Sequence, residues 1–115
     1  MNKIVIDYGL YTALTIDLTE FDFTGITKIV LTCCNPCGNL VFQREYDEPK
    51  LYNEIITPEE SKKLEFGASY DFKKVMSDGK TYKMGDNGYI LIRMGCGQCQ
   101  WTRLKFITPL HKAFQ

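Results

Sequence analysis

The sequence predicts an all-β fold with one short helix, and three observations carry that reading. Apolar residues recur at every second position in several short runs. In Ser69–Met76, Tyr70, Phe72 and Met76 share one face while Asp71, Lys73 and Val75 take the other. Asp78-Gly79 and Asn87-Gly88 are dipeptides that accept the positive φ angles of tight two-residue turns. The chain is therefore expected to reverse at both, before residues 81–84 and again before residues 89–94. Helix signals occur once: Thr57 can cap, Pro58 fits the first helical position, Glu60 can reach back to the Thr57 N–H, and Gly67 supplies the stop.

From the start of the chain, residues 3–8 alternate Ile4 and Ile6 with Val5, and residues 11–18 place Leu14, Ile16 and Leu18 on one face. Tyr8-Gly9 between them reads as a reversal, which makes the two strands a hairpin. Residues 19–25 hold Phe21 and Phe23 among polar neighbours, the pattern of a loop that returns its rings to the core. Residues 27–33 form a strand with Ile29, Leu31 and Cys33 on one face and Val30 on the other. Asn35-Pro36-Cys37-Gly38 breaks it, because Pro36 lacks a ladder donor and Gly38 permits a turn. Residues 39–46 resume as a strand, with Leu40 and Phe42 opposite Val41 and Gln43. The polar loop Asp47-Glu48-Pro49-Lys50 leads to a shorter strand over Leu51–Ile56 and then to the helix. Trp101, Leu104, Phe106 and Ile107 mark a last segment before Pro109.

Short strands separated by turns, with one brief helix between two of them, give an immunoglobulin-like antiparallel β-sandwich over residues 1–100. Residues 101–115 follow as a basic tail or an added strand. The competing arrangement is an α+β fold in which residues 58–66 form a longer helix packed on one sheet. Leu64 is its only clear apolar anchor before Phe66, too little to hold it. The chain's 115 residues suffice for one core, burying roughly two-thirds of the unfolded surface. Lys plus Arg number 14, as do Asp plus Glu, so no basic field points to nucleic acid. Arg103, Lys105 and Lys112 lie in the tail, which leaves residues 1–100 with 11 basic against 14 acidic side chains, a net of −3. No run of 18 apolar residues occurs and the N-terminal stretch has no long apolar core, so neither a membrane span nor secretion is expected. In the reducing cytoplasm that is then the default, the five cysteines are thiols or metal ligands rather than a disulfide framework.

The cysteines are the sharpest chemical signal. Cys34-Asn35-Pro36-Cys37-Gly38 and Cys96-Gly97-Gln98-Cys99 are two knuckles of the kind that close a tetrahedral four-cysteine zinc site. Cys34, Cys37, Cys96 and Cys99 are thus the candidate metal ligands, and structural zinc is the one cofactor in view. Gly38 and Gly97 allow the knuckles to turn. Between Cys37 and Cys96 lie 58 residues. Five strand crossings in that interval put the knuckles at opposite ends, about 17–20 Å apart, whereas four crossings bring them together. Reduced thiols in a self-supporting sandwich, and a disulfide or redox pair, are the other readings; neither knuckle precedes a helix in a βαβ unit, which weighs against redox chemistry. Cys33 falls on the core face of its strand. No catalytic residue is assigned and no enzyme is expected. His111 lies in the tail, Asp71, Asp78 and Asp86 follow turns and exposed faces, and Gly85-Asp86-Asn87-Gly88 lacks a calcium-loop ligand series. Tyr11, Tyr46, Tyr52 and Tyr89 can supply contact area to a partner, with at least half of them expected in the core.

In order, DLTEFDFTGITKIVLT (17–32), NLVFQREY (39–46), IITPEESKKLEFGASYDF (55–72) and SDGKTYKMGDNGYILIRMG (77–95) resemble small immunoglobulin-like domains of phage tail and baseplate structural proteins. Such domains occur in phages and prophages of Gram-positive bacteria, including the N-terminal domain type of baseplate upper proteins. The resemblance covers roughly residues 3–95 and lies in strand order and turn positions; the cysteine turn and the tail depart from it. It implies a non-enzymatic structural or adaptor role in a virion tail or baseplate. The partners would be other virion structural proteins or further copies of the chain, with no nucleic acid and no membrane. A zinc-stabilised β-domain acting as a binding adaptor in the cytoplasm is the second expectation.

Overall fold

The computed structural model describes residues 3–94 and 102–107. In chain order these hold β1 (Lys3–Asp7), β2 (Thr12–Glu20), β3 (Ile26–Cys34), β4 (Leu40–Tyr46), β5 (Leu51–Ile56), α1 (Pro58–Ser61), β6 (Ser69–Met76), β7 (Thr81–Lys83), β8 (Gly88–Arg93) and β9 (Thr102–Ile107). The larger sheet runs β1-β8-β6-β3-β4, with β7 also bonded to β6, and the smaller runs β5-β2-β9. Leu14, Ile16 and Leu18 of the smaller sheet join Ile4, Ile6, Ile29, Leu31, Phe42, Phe72 and Ile90 of the larger in one buried cluster. Each such aliphatic side chain contributes roughly 1.5–3 kcal/mol by leaving water. The frame is all-β with one short helix, as the period-two runs predict.

The expected first hairpin does not form. β1 lies parallel to β8, with Ile4 opposite Ile90 and Ile6 opposite Ile92. The reversal at Tyr8-Gly9 is real, but it carries the chain from one sheet to the other. Gly9 takes a φ of +76°, its N–H donates to the Ser61 hydroxyl at 2.8 Å, and the Asp7 N–H donates to Thr12 Oγ1 at 3.0 Å. Those N–H groups are therefore bound outside any β1–β2 ladder. A second parallel pairing sets β9 beside β2, with Arg103 at the register position of Thr15 and Lys105 at that of Asp17. The remaining pairings are antiparallel.

Two hairpins share one loop type. Between β3 and β4, the Asn35 N–H donates to Asn39 O, the Gly38 N–H donates to Asn35 O, and Gly38 has a φ of +93°. Between β6 and β7, the Met76 N–H donates to Lys80 O, the Gly79 N–H donates to Met76 O, and Gly79 has a φ of +88°. Each is a three-residue loop closing on a left-handed glycine, in place of the two-residue loop predicted at Asp78-Gly79. In β4 the alternation slips: Phe42 faces Cys33 while Leu40 faces Cys34, so Val41 is the extra residue of a bulge. Val41 and Phe42 are both buried and Leu40 is exposed, contrary to the simple period-two expectation.

Asn87-Gly88 does not reverse the chain. β7 and β8 run the same way along one edge of β6, Thr81–Lys83 opposite Val75 to Lys73 and Gly88 and Tyr89 opposite Tyr70 and Ser69. The Met84 N–H donates to Phe72 O at 2.7 Å, so Gly85, Asp86 and Asn87 together face the single residue Asp71. This outward bulge, turned by Gly85 at a φ of +75°, takes the place of the second turn. Gly88 is a glycine for another reason: a Cβ there would lie 2.2 Å from Tyr70 Cζ. The Tyr70 ring lies across the bare Gly88 backbone and meets Phe72 edge-on at 6.0 Å.

The capping box forms as predicted, with the Glu60 N–H donating to Thr57 Oγ1 at 3.2 Å and the Thr57 N–H donating to Glu60 Oε1 at 3.1 Å. The helix nevertheless ends at Ser61 instead of continuing towards Gly67. Asn35, buried in the β3–β4 turn, supplies the reason. Its amide donates to Lys63 O at 2.9 Å and accepts from the Glu65 N–H at 2.8 Å, which withholds both groups from a helix. Arg44 closes the same flank. From β4 its guanidinium reaches Glu54 on β5 at 3.2 Å and Glu60 in α1 at 2.8 Å, tying both sheets to the helix.

Candidate functional site

Three loops and the end of β8 converge at one end of the frame. The Tyr8 N–H donates to Arg93 O, Gly9 is bonded to Ser61, and Asn35 holds Lys63 and Glu65. This end presents large apolar side chains to water among the exposed Lys62, Lys63 and Glu65. Phe66 is 97% exposed, Met94 70% and Tyr11 66%, with Leu10, Leu40 and Tyr8 also exposed. Single exposed apolar side chains are ordinary, but several on adjoining loops make this end the candidate contact surface. Phe66 points outward because both neighbours are fixed. Glu65 is tied to Asn35, and Gly67, at a φ of +92°, lies so close to Pro36 that a Cβ would stand 3.0 Å from its Cγ.

Two charged pairs beside this surface are structural. Asp7 receives two hydrogen bonds from Arg93, of 2.6 and 3.1 Å; these hold its carboxyl below the usual range against the opposing effect of burial. Burial raises Glu60, but its bonds from Arg44 and Thr57 outweigh that and leave it lowered. Both pairs fix where the loops start. What the arrangement offers is a set of exposed apolar side chains on loops held in place by these pairs.

Of the predicted metal ligands, Cys34 is half-buried and Cys37 is exposed, its Sγ accepting from Asn39 Nδ2 at 3.2 Å. Cys96 and Cys99 lie outside the described residues, as do His111 and Lys112. The strand directions bear on the spacing argument. Ser69 faces Cys34 on one side and Tyr89 on the other, and beyond that level β3 runs into the 35–38 turn while β8 runs on to Arg93. Both head for the same end of the sheet, two strand spacings or about 10 Å apart. β7 and β8 make a single crossing, so four crossings lie between Cys37 and the end of β8 at Arg93, although β5 is a full strand. Cys33 is fully buried and its thiol is pushed up to about 12, first by desolvation and then by Cys34.

The four tyrosines divide evenly: Tyr46 is buried and Tyr52 half-buried against it, while Tyr11 and Tyr89 are exposed. Asp71 pairs with Lys73, Asp78 accepts from the Lys80 N–H, and Asp86 sits exposed in the bulge, so the structure does not bring the three together. Sequence reasoning missed Phe66, Leu10 and Met94 as surface groups. The signal for Phe66 was its place between Glu65 and a glycine that stops the chain. No helix among the described residues is long and apolar enough to cross a membrane. No family model matches the chain, and no curated protein matches it in sequence.

Proposed function

We propose that the chain is a non-enzymatic structural and interaction module that makes protein–protein contacts, and that it serves in the tail or baseplate of a phage or prophage. The observation that carries the first part is the exposure of Phe66, Tyr11, Leu10 and Met94 on loops and a strand end held by Arg44, Asn35 and Ser61. The second part rests on the sequence resemblance alone. Co-expression with the products of flanking genes tests both. Co-purification with a tail or baseplate protein, lost on Phe66→Asp with the fold intact, is expected; metabolic neighbours and no complex would sink the proposal.

A second reading is favoured by the strand directions. Cys34 and Cys37 sit at the end of the sheet towards which β8 leads the chain before Cys96 and Cys99, which supports a shared structural zinc. Stoichiometric zinc in the purified protein, with loss of fold on replacing Cys37 or Cys96, establishes this reading. Metal-free protein of unchanged stability removes it.

A further inference from the structure

We infer that the free edge of β7 takes an extended acidic segment of a partner protein as an added strand. The lane beside β7 and β8 is half filled. β1 occupies it alongside Tyr89 to Arg93, and among the described residues nothing pairs with the stretch beside Thr81–Lys83. Backbone direction follows from the hairpin: Lys80 O accepts from the Met76 N–H, and the Met84 N–H donates to Phe72 O. Even-numbered residues thus face β6, and the N–H and C=O groups of Thr81 and Lys83 point to the open side. All of β7 is exposed.

The side chains identify the occupant. Residues 72–84 carry Lys73, Lys74, Lys80 and Lys83 against Asp78 alone, four less one or +3. Lys83 stands directly opposite Lys73, and Tyr82 opposite Lys74. Like charges so placed destabilise a ladder. Asp71 answers Lys73, with both carboxylate oxygens 2.9 Å from its Nζ, and Lys83 has no ion pair among the described residues. An added strand would set one row of side chains beside Thr81 and Lys83 and the other beside Tyr82, with Lys74 one strand further in, so a carboxylate opposite Lys83 meets that cation. The β7 edge of a second copy would bring two hairpins of the same positive charge together, and an edge lysine of this kind guards against self-pairing. A nucleic acid strand would answer the charges yet leave the Thr81 and Lys83 backbone groups unpaired, so a peptide is the better fit.

This inference rests on the reading of the chain as an interaction module, but it concerns a different surface, the hairpin whose Ser77 N–H donates to Gly25 O. The test is titration of a short blocked peptide alternating Glu and Thr into nitrogen-15-labelled protein at low salt. Amide shifts centred on β7, slowed hydrogen exchange at the Thr81 and Lys83 amides, and binding weakened roughly tenfold or more by Lys83→Glu are expected. A version of the peptide interrupted by proline should bind poorly. No shifts at β7, equal binding of the proline version or of an oligothymidylate, or indifference to Lys83→Glu would overturn the inference. If the peptide fails while Phe66→Asp still abolishes co-purification, the inference falls and the interaction module stands.

Discussion

Gly88→Ala should destabilise the protein far more than a surface methyl group has any right to. Gly88 is buried and its φ is not in the left-handed region, so alanine suits the backbone there. The added Cβ, however, would stand 2.2 Å from Tyr70 Cζ, 2.3 Å from Cε1 and 2.5 Å from the hydroxyl oxygen. Two responses compete. Shifting the β8 backbone off β6 is overpacking, about 1–3 kcal/mol. Swinging the Tyr70 ring into solvent gives up most of its apolar burial, at least as much again at about 25 cal/mol per Å². The cheaper response sets the result at about 2–3 kcal/mol, readable by urea denaturation. The control is Tyr70→Leu, which removes every atom in the clash. In that background Gly88→Ala should cost little, giving a coupling nearly equal to the single-mutant effect. A Gly88→Ala effect below about 0.5 kcal/mol, or one equally large beside Leu at position 70, would refute the argument and favour a turn role for Gly88.

Other outcomes follow from the same contacts. Asn35→Ala leaves the Lys63 C=O and the Glu65 N–H without their partner and should cost about 2–4 kcal/mol by thermal or urea unfolding; a loss under 1 kcal/mol would mean that the 62–68 loop is held otherwise. Gly79→Val places a β-branched residue at a φ of +88° and should cost about 1 kcal/mol or more, whereas an unchanged midpoint would contradict the loop geometry. Asp7 and Glu60 are both lowered on folding from ordinary values of 3.8 and 4.5, so their contribution is complete above those values and disappears as pH falls through the folded ones. The thermal midpoint should therefore drop below about pH 4, and more shallowly in Arg44→Met; an identical acid limb in that variant would contradict the role of the Arg44–Glu60 pair. With a thiol-specific reagent Cys37 should react in the native state and Cys33 only on unfolding, since Cys33 is buried and its thiol pushed up to about 12; prompt reaction of Cys33 would contradict its place in the core.

What was legible in the sequence is what local chemistry decides. Tyr70 and Phe72 alternate because one face of β6 is buried, and Thr57, Pro58 and Glu60 cap a helix through atoms within four residues of one another. What was not legible depends on contacts distant in sequence. Ile4 and Ile6 look the same whether β1 pairs with β2 or with β8, and contacts such as Gly9 to Ser61 and Asp7 to Arg93, far apart in the chain, accompany the pairing that forms. Asn87-Gly88 carries the composition of a turn, yet Gly88 is required by a ring eighteen residues earlier, in Tyr70. The helix promised by Lys62 to Phe66 is cut short by Asn35, a residue of another turn. The exposure of Phe66, Leu10 and Met94 was hidden for the same reason, since it follows from how these loops are tied.

The central claim is that the end of the frame marked by Phe66 meets another protein, and site-specific photocrosslinking tests it most directly. A benzophenone side chain in place of Phe66, and as a control in place of the exposed Glu45 on β4, would be activated in the assembled particle or cell that makes the protein. The account predicts one dominant adduct from position 66, with a tail or baseplate protein or a further copy of this chain, and none of that adduct from position 45. Only uncrosslinked chain from position 66, or the same diffuse adducts from both positions, would contradict it.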